Sequence, residues 1–160
     1  MSHTASFLAL LNHKWKFSLF LFSKLPSAYF SGVRVVSATE QVCSVSVPYK
    51  WFSQNPFKST YFACLAMAGE LSTGALGMAH VYKSKPAVSM LVIGMEAKYF
   101  KKATSKTIFT CSDGDAILQA INESRATGEG RTVKTIATGK NAAGDLIAEF
   151  YITWSFKVKS

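Results

Sequence analysis

The pattern of apolar and polar positions divides the chain into a helical front, an early pair of strands, one long uncharged helix and a final block of strands. Residues 5–30 carry apolar and aromatic side chains at helical spacing. They predict one or two helices ending near Leu25-Pro26, because proline disfavours a helical residue before it. Residues 33–39 are rich in β-branched side chains, and residues 41–47 alternate. In the second run Val42, Ser44 and Ser46 share one face, and Cys43, Val45 and Val47 share the other, as in a half-buried strand. Residues 48–58 read as a loop in which Pro56 favours an extended Asn55.

The next run is the most informative. Between Lys58 and the end of His80 the only formal charge is Glu70. The run is long enough for about five helical turns. Small and apolar residues occupy every side, which predicts a helix buried all round. Ser59 or Thr60 is the expected N-cap. Ala63, Ala66, Gly69, Thr73, Gly74 and Gly77 would let neighbouring backbone approach closely. A lone carboxyl there is costly unless bonded, paired or protonated, and such groups with displaced pKa values cluster at functional sites.

Strands follow at residues 88–100, 106–111, 131–140 and 146–158, with a short, less regular helical pattern at 113–123. The last strand alternates cleanly. Leu146, Ala148, Phe150, Ile152, Trp154, Phe156 and Val158 form one face. An antiparallel sheet together with a single uncharged helix implies α+β architecture, with the sheet wrapped around that helix. No repeat or linker interrupts the pattern. The expected organisation is an N-terminal helical segment, residues 1–30, followed by a single domain, residues 31–160.

Composition narrows the classes. The net charge is +9, from 18 Lys and Arg against 9 Asp and Glu, which favours an anionic partner or simply solubility. The cations are scattered apart from Lys98, Lys101, Lys102 and Lys106, and no RNA-binding or zinc signature accompanies them, so nucleic acid is not the expected partner. His3, His13 and His80 lack metal-ligand spacing, and no metal or other cofactor is expected. Three cysteines form no motif, and a reducing cytoplasm is the simpler setting. His13, Lys14 and Lys16 split the N-terminal apolar runs, unlike a signal peptide. Those helices are expected to pack on the domain or a partner, with membrane-surface contact as a weaker alternative.

Three features carry a resemblance. Asn55 lies six residues before Tyr61, and Glu70 lies nine after it. AKYFKKATSKT and NAAGDLIAEFYITWSF look like a third strand with its turn and a closing hairpin. In these respects, from about residue 32 onward, the chain resembles hotdog-fold acyl-CoA thioesterases of the phenylacetyl-CoA and 4-hydroxybenzoyl-CoA group, and their relatives in domain of unknown function 4442. In that group an Asn precedes a His-Gly-Gly at the start of the central helix, and an acidic residue follows. Here Tyr61-Phe62-Ala63 replaces His-Gly-Gly, which narrows the backbone approach that the Gly pair allows.

The resemblance implies a hydrolase acting on an acyl-CoA or acyl-carrier thioester, with a pocket between two subunits of a homodimer or a dimer of dimers. Glu70 would be the base or nucleophile. Its alternative is a carboxyl satisfied across an interface or by Ser72 or Thr73. Asn55 would orient water or hold the carbonyl, or it would simply close a turn before Pro56. Tyr61, Phe62 and Ala63 would line the substrate site, with helix N-terminal amides facing the oxyanion. Thr73 would bond Glu70 or substrate, or else its own helix backbone. Lys98, Lys101 and Lys102 would meet coenzyme A phosphates, or form a solvated strand end. A non-catalytic hotdog module binding an acyl or CoA-like ligand, or a protein, is the competing function.

Overall fold

The computed structural model describes residues 2–159. Three helices lead the chain: α1 (His3–Asn12), α2 (Lys14–Lys24) and α3 (Pro26–Phe30). The front is therefore split twice. His13 caps α2 by accepting from the Lys16 N–H, and Pro26 starts α3, in the first turn, where its missing N–H is no loss. Phe7 and Leu11, then Phe17 and Leu21, are buried one turn apart on successive helices.

Six strands follow: β1 (Arg34–Ala38), β2 (Cys43–Val47), β3 (Val88–Tyr99), β4 (Thr107–Cys111), β5 (Arg131–Lys140) and β6 (Leu146–Val158). They form one sheet in the order β1-β2-β4-β5-β6-β3, antiparallel throughout. The predicted inner faces are the buried ones. Cys43, Val45 and Val47 of β2 are buried, as are Ala148, Phe150, Ile152, Trp154 and Phe156 of β6. Cys43 and Cys111 are register partners, and burial pushes both thiols up to about 12; they act as small core residues.

The long helix, α4 (Phe62–Val81), crosses the inner face of this sheet. Its small residues are what let it sit there. A Cβ on Gly69 would lie 2.7 Å from the Phe150 ring, and one on Gly77 would lie 2.8 Å from Met90 Cε and 3.2 Å from Phe156. The helix is long and apolar enough to cross a membrane, but most of it is buried inside the fold. The sheet wrapping a central helix is the hotdog fold. The N-cap differs from expectation: Tyr61 holds the position without a side-chain bond. Thr60 instead donates through its backbone N–H and its hydroxyl to the Ala103 carbonyl, and Ser59 bonds Asn55.

A second helix, α5 (Gly114–Thr127), is longer than the pattern suggested and ends at Gly128, whose φ of 74° closes the last turn. The two sheet edges are treated differently. At β1, the Asn12 amide of α1 both donates to and accepts from the Ala38 backbone. At β3, Leu91, Ile93 and Met95 stand 64%, 54% and 55% exposed beside an unpaired edge. An apolar edge of this kind is a template for pairing with another chain.

Candidate functional site

Glu70 sits on the half of α4 nearer its N-terminus, flanked by two buried neighbours, Gly69 and Leu71. Among the described residues its carboxylate makes no hydrogen bond and no ion pair. Burial alone pushes its pKa above the usual carboxylate range. Gly74, one turn on, makes room for it: a Cβ there would lie 3.2 Å from Glu70 Oε1 and 3.1 Å from the Trp154 ring. The carboxyl therefore folds back along α4 against an aromatic wall.

Glu70 lies at the boundary of two cavities. The larger, about 350 Å³, is roofed by Phe7, Leu11, Phe17 and Phe20 of the N-terminal helices and floored by Met90 and Trp154. The smaller, about 280 Å³, is lined by Lys24, Pro26, Ser27 and Met67 among others. Lys24, Leu25, Glu70 and Leu71 line both. An unpaired carboxyl with a raised pKa, at the meeting point of an apolar and a more polar space, can take a proton from water or attack an electrophile.

Asn55 is elsewhere. Its Oδ1 accepts from the Phe57 N–H at 2.9 Å and the Ser59 N–H at 3.2 Å. Its Nδ2 donates to Ser59 Oγ and the Thr60 carbonyl. The amide thus closes the 55–60 loop that feeds α4, an Asx-type turn. Within one protomer it does not line either cavity with Glu70. Tyr61 and Phe62 form an exposed edge-to-face pair with ring centroids 4.9 Å apart. The Phe62 and Ala63 N–H groups have no acceptor among the described residues, since the first helical bonds come from Cys64 and Leu65. Eight and seven residues at a rise of 1.5 Å place this amide pair about 10–12 Å along the helix from Glu70.

Thr73 is buried and engaged twice. Its hydroxyl donates to the Glu70 backbone carbonyl at 2.9 Å and accepts from Trp154 Nε1 at 2.9 Å. It touches the Glu70 backbone, not the carboxylate, and fixes the indole that walls the cavity. The three lysines are dispersed. Lys98 lies 4.0 Å from Glu96 and over the Tyr151 ring. Lys101 pairs with Asp145 at 2.7 Å. Lys102 donates to the Phe57 carbonyl, beside the Asn55 loop. Among the described residues no three His, Cys, Asp or Glu side chains group as a metal site.

The pattern of the sequence did not disclose Phe17, Phe20 and Lys24 as neighbours of Glu70, because their approach is tertiary. Gly74 and Trp154 carried weak signals: a small residue one turn after the carboxyl, and an inward aromatic on β6.

Comparison with solved structures agrees with the architecture. A Pseudomonas aeruginosa protein of unknown function, called a probable thioesterase, is 17% identical with a TM-score of 0.77, over 91% of this chain and 96% of its own. A Chlorobaculum tepidum protein of unknown function is 14% identical at 0.74, over 91% and 94%. A Haemophilus influenzae thioesterase is 11% identical at 0.67, over 90% of each chain. No curated protein matches the chain. The model of one family, Domain of unknown function (DUF4442), matches residues 13–156, so it takes in α2 and α3 as well as the sheet and central helix. The chain belongs to the DUF4442 family.

Proposed function

We propose that the protein hydrolyses an acyl thioester, with Glu70 as general base. The observation that carries this reading is the unpaired Glu70 carboxyl at the junction of two cavities on the central helix. The thioesterases among its structural neighbours support the reading. In the reaction the Glu70 carboxylate takes a proton from water as the water oxygen bonds to the thioester carbonyl carbon. The carbonyl electron pair moves onto oxygen. When the tetrahedral intermediate collapses, the C–S bond breaks and the leaving sulfur takes the proton from Glu70. The products are a carboxylic acid and a thiol. The raised pKa suits both halves of this proton traffic.

The oxyanion needs donors about 3 Å away. The free Phe62 and Ala63 amides stand about 10–12 Å from Glu70 along the same helix, too far to serve it. In this reading a second copy of the chain supplies them, together with its Asn55 loop. The bare, apolar β3 edge is the surface on which that copy pairs, giving at least a homodimer. Coenzyme A is the carrier this reading favours, with Lys102, beside the Asn55 loop, the best placed of the three lysines for its phosphates.

A second reading rests on the Asn55 amide, which is already fully bonded, and on the side chains at Phe62 and Ala63. It makes the protein a binding module for an acyl or CoA-like ligand. A thiol-release assay over short, medium and aromatic acyl-CoAs separates the two. The hydrolase reading expects turnover that Glu70→Gln lowers by about 10²–10⁴-fold, the usual contribution of a general base. Undiminished turnover in Glu70→Gln refutes Glu70 as the base. No turnover, with thermal stabilisation by a CoA ester, establishes the binding module.

A further inference from the structure

The larger cavity has a direction. Phe7 of α1 packs on Tyr82, just past the end of α4, with ring centroids 5.0 Å apart. Lys24 and Leu25, at the far end of α2, line the cavity beside Glu70. α1, which packs on α4, and α2 together cover the cavity, with Glu70 and the exposed Lys24 and Leu25 at one end and Phe7, Met78 and Met90 at the other. Gly77 lets Met90 lie flat on α4 and form that end. Apart from Glu70 and Lys24 at the first end, every lining side chain is apolar.

We infer that α1, α2 and α4 enclose a binding site for a straight saturated acyl chain of about eight to ten carbons, with Met78 and Met90 setting its length. The inference rests on the thioesterase reading only for the claim that the chain's carbonyl end sits at Glu70. The helix sets the length, and the volume permits it. Glu70 and Met78 are eight residues apart, about 12 Å along the helix. With a C–C bond near 1.5 Å, an extended chain advances about 1.3 Å per carbon, so about nine carbons fit. The cavity volume is about 350 Å³. At about 30 Å³ per methylene-sized group, nine carbons need about 270 Å³, which the cavity accommodates.

The remaining features fit a chain rather than a ring. The site is long and bounded at its end by two methionines, whose flexible thioethers shape themselves to an alkyl terminus. The Phe17 and Phe20 rings of the roof stack on each other, with centroids 5.4 Å apart, which holds the roof as a unit. The smaller cavity, on the other side of Glu70, is left for the thiol side of the substrate.

The test uses straight-chain primary alcohols from six to fourteen carbons, which carry no charge for Glu70 to repel, titrated into the full chain by calorimetry. The expected result is tightest binding at eight to ten carbons, with at least tenfold weaker binding at fourteen. Methyl NMR of the wild-type protein is expected to show Met78 and Met90 shifting on decanol addition, with Met95 unmoved. Met78→Ala moves the optimum about two carbons longer, and Met90→Phe moves it shorter. Affinity that simply rises with chain length, or decanol binding that leaves the Met78 and Met90 methyls fixed, overturns the inference. The wild-type NMR decides the matter if neither variant folds. Alcohol binding without thioester turnover removes the hydrolase reading and leaves the acyl site. Turnover of only short or aromatic thioesters, with no alcohol binding, removes the acyl site and leaves the hydrolase.

Discussion

Replacing Glu70 with Gln is expected to make the protein more stable while making it less active. The substitution keeps the shape of the side chain and removes its charge. No hydrogen bond or ion pair among the described residues is lost, because the carboxylate makes none. What disappears is the penalty of holding an unpaired charge against Trp154 and α4, the same penalty that raises its pKa. The Gln amide is itself an unpartnered polar group, so only the extra cost of burying a charge rather than a neutral group is removed. Two cavities leave room for water at the carboxyl, which keeps that difference to about 1 kcal/mol. For a chain of this length that corresponds to roughly 2–4 °C in Tm. The pH dependence has a definite sign. The folded pKa lies above the unfolded one, so ionisation disfavours the fold. Below the ordinary carboxylate range both states are protonated, and Glu70→Gln matches the wild type. As pH rises through the raised folded pKa the wild type loses stability relative to the variant, and the gap then stays constant. Thermal melts of both proteins from pH 4 to 8 measure it. A Gln variant less stable than wild type at neutral pH would refute the reasoning, since it would mean that the carboxylate has a stabilising partner.

Further predictions follow from the same geometry. Thr73→Val preserves volume but leaves the buried Trp154 N–H without its 2.9 Å acceptor, so urea unfolding is expected to show a loss of about 1–2 kcal/mol; most of that loss is absent when Trp154→Phe is already present, and full additivity would refute the pairing. Asn55→Ala removes the acceptor of the Phe57 and Ser59 amides, and increased hydrogen exchange is expected across residues 56–60, with unchanged exchange counting against a loop-closing role. Ile93→Lys places a charge on the bare β3 edge, and light scattering is expected to find a monomer with much reduced turnover; an oligomer unchanged by the substitution would exclude that edge as the interface. Acid inhibition of kcat/KM is expected to set in above the ordinary Glu range because the Glu70 pKa is raised, and a pH–rate profile flat down to pH 4 would argue against Glu70 as base.

The sequence by itself determined the inner face of β6, the strand pattern of β2 and the burial of α4, because period-2 and all-round apolar patterns each have one way to leave water. The solitary charge of Glu70 was legible for the same reason: in an uncharged helix nothing else could account for it. The sequence did not determine the helix start. Ser59 and Thr60 have good capping chemistry, but Thr60 is drawn to the Ala103 carbonyl and Ser59 to Asn55, so the cap falls to Tyr61. Nor could spacing decide what Asn55 does, since its six-residue distance from Tyr61 is compatible with both a catalytic amide and a turn. Only the tertiary structure brought Phe17, Phe20 and Lys24, some fifty residues away in the chain, over Glu70. It alone separated the candidate lysines and left the β3 edge bare. Local patterns report how a segment meets water; which segments meet each other, and what space they leave between them, is settled by packing.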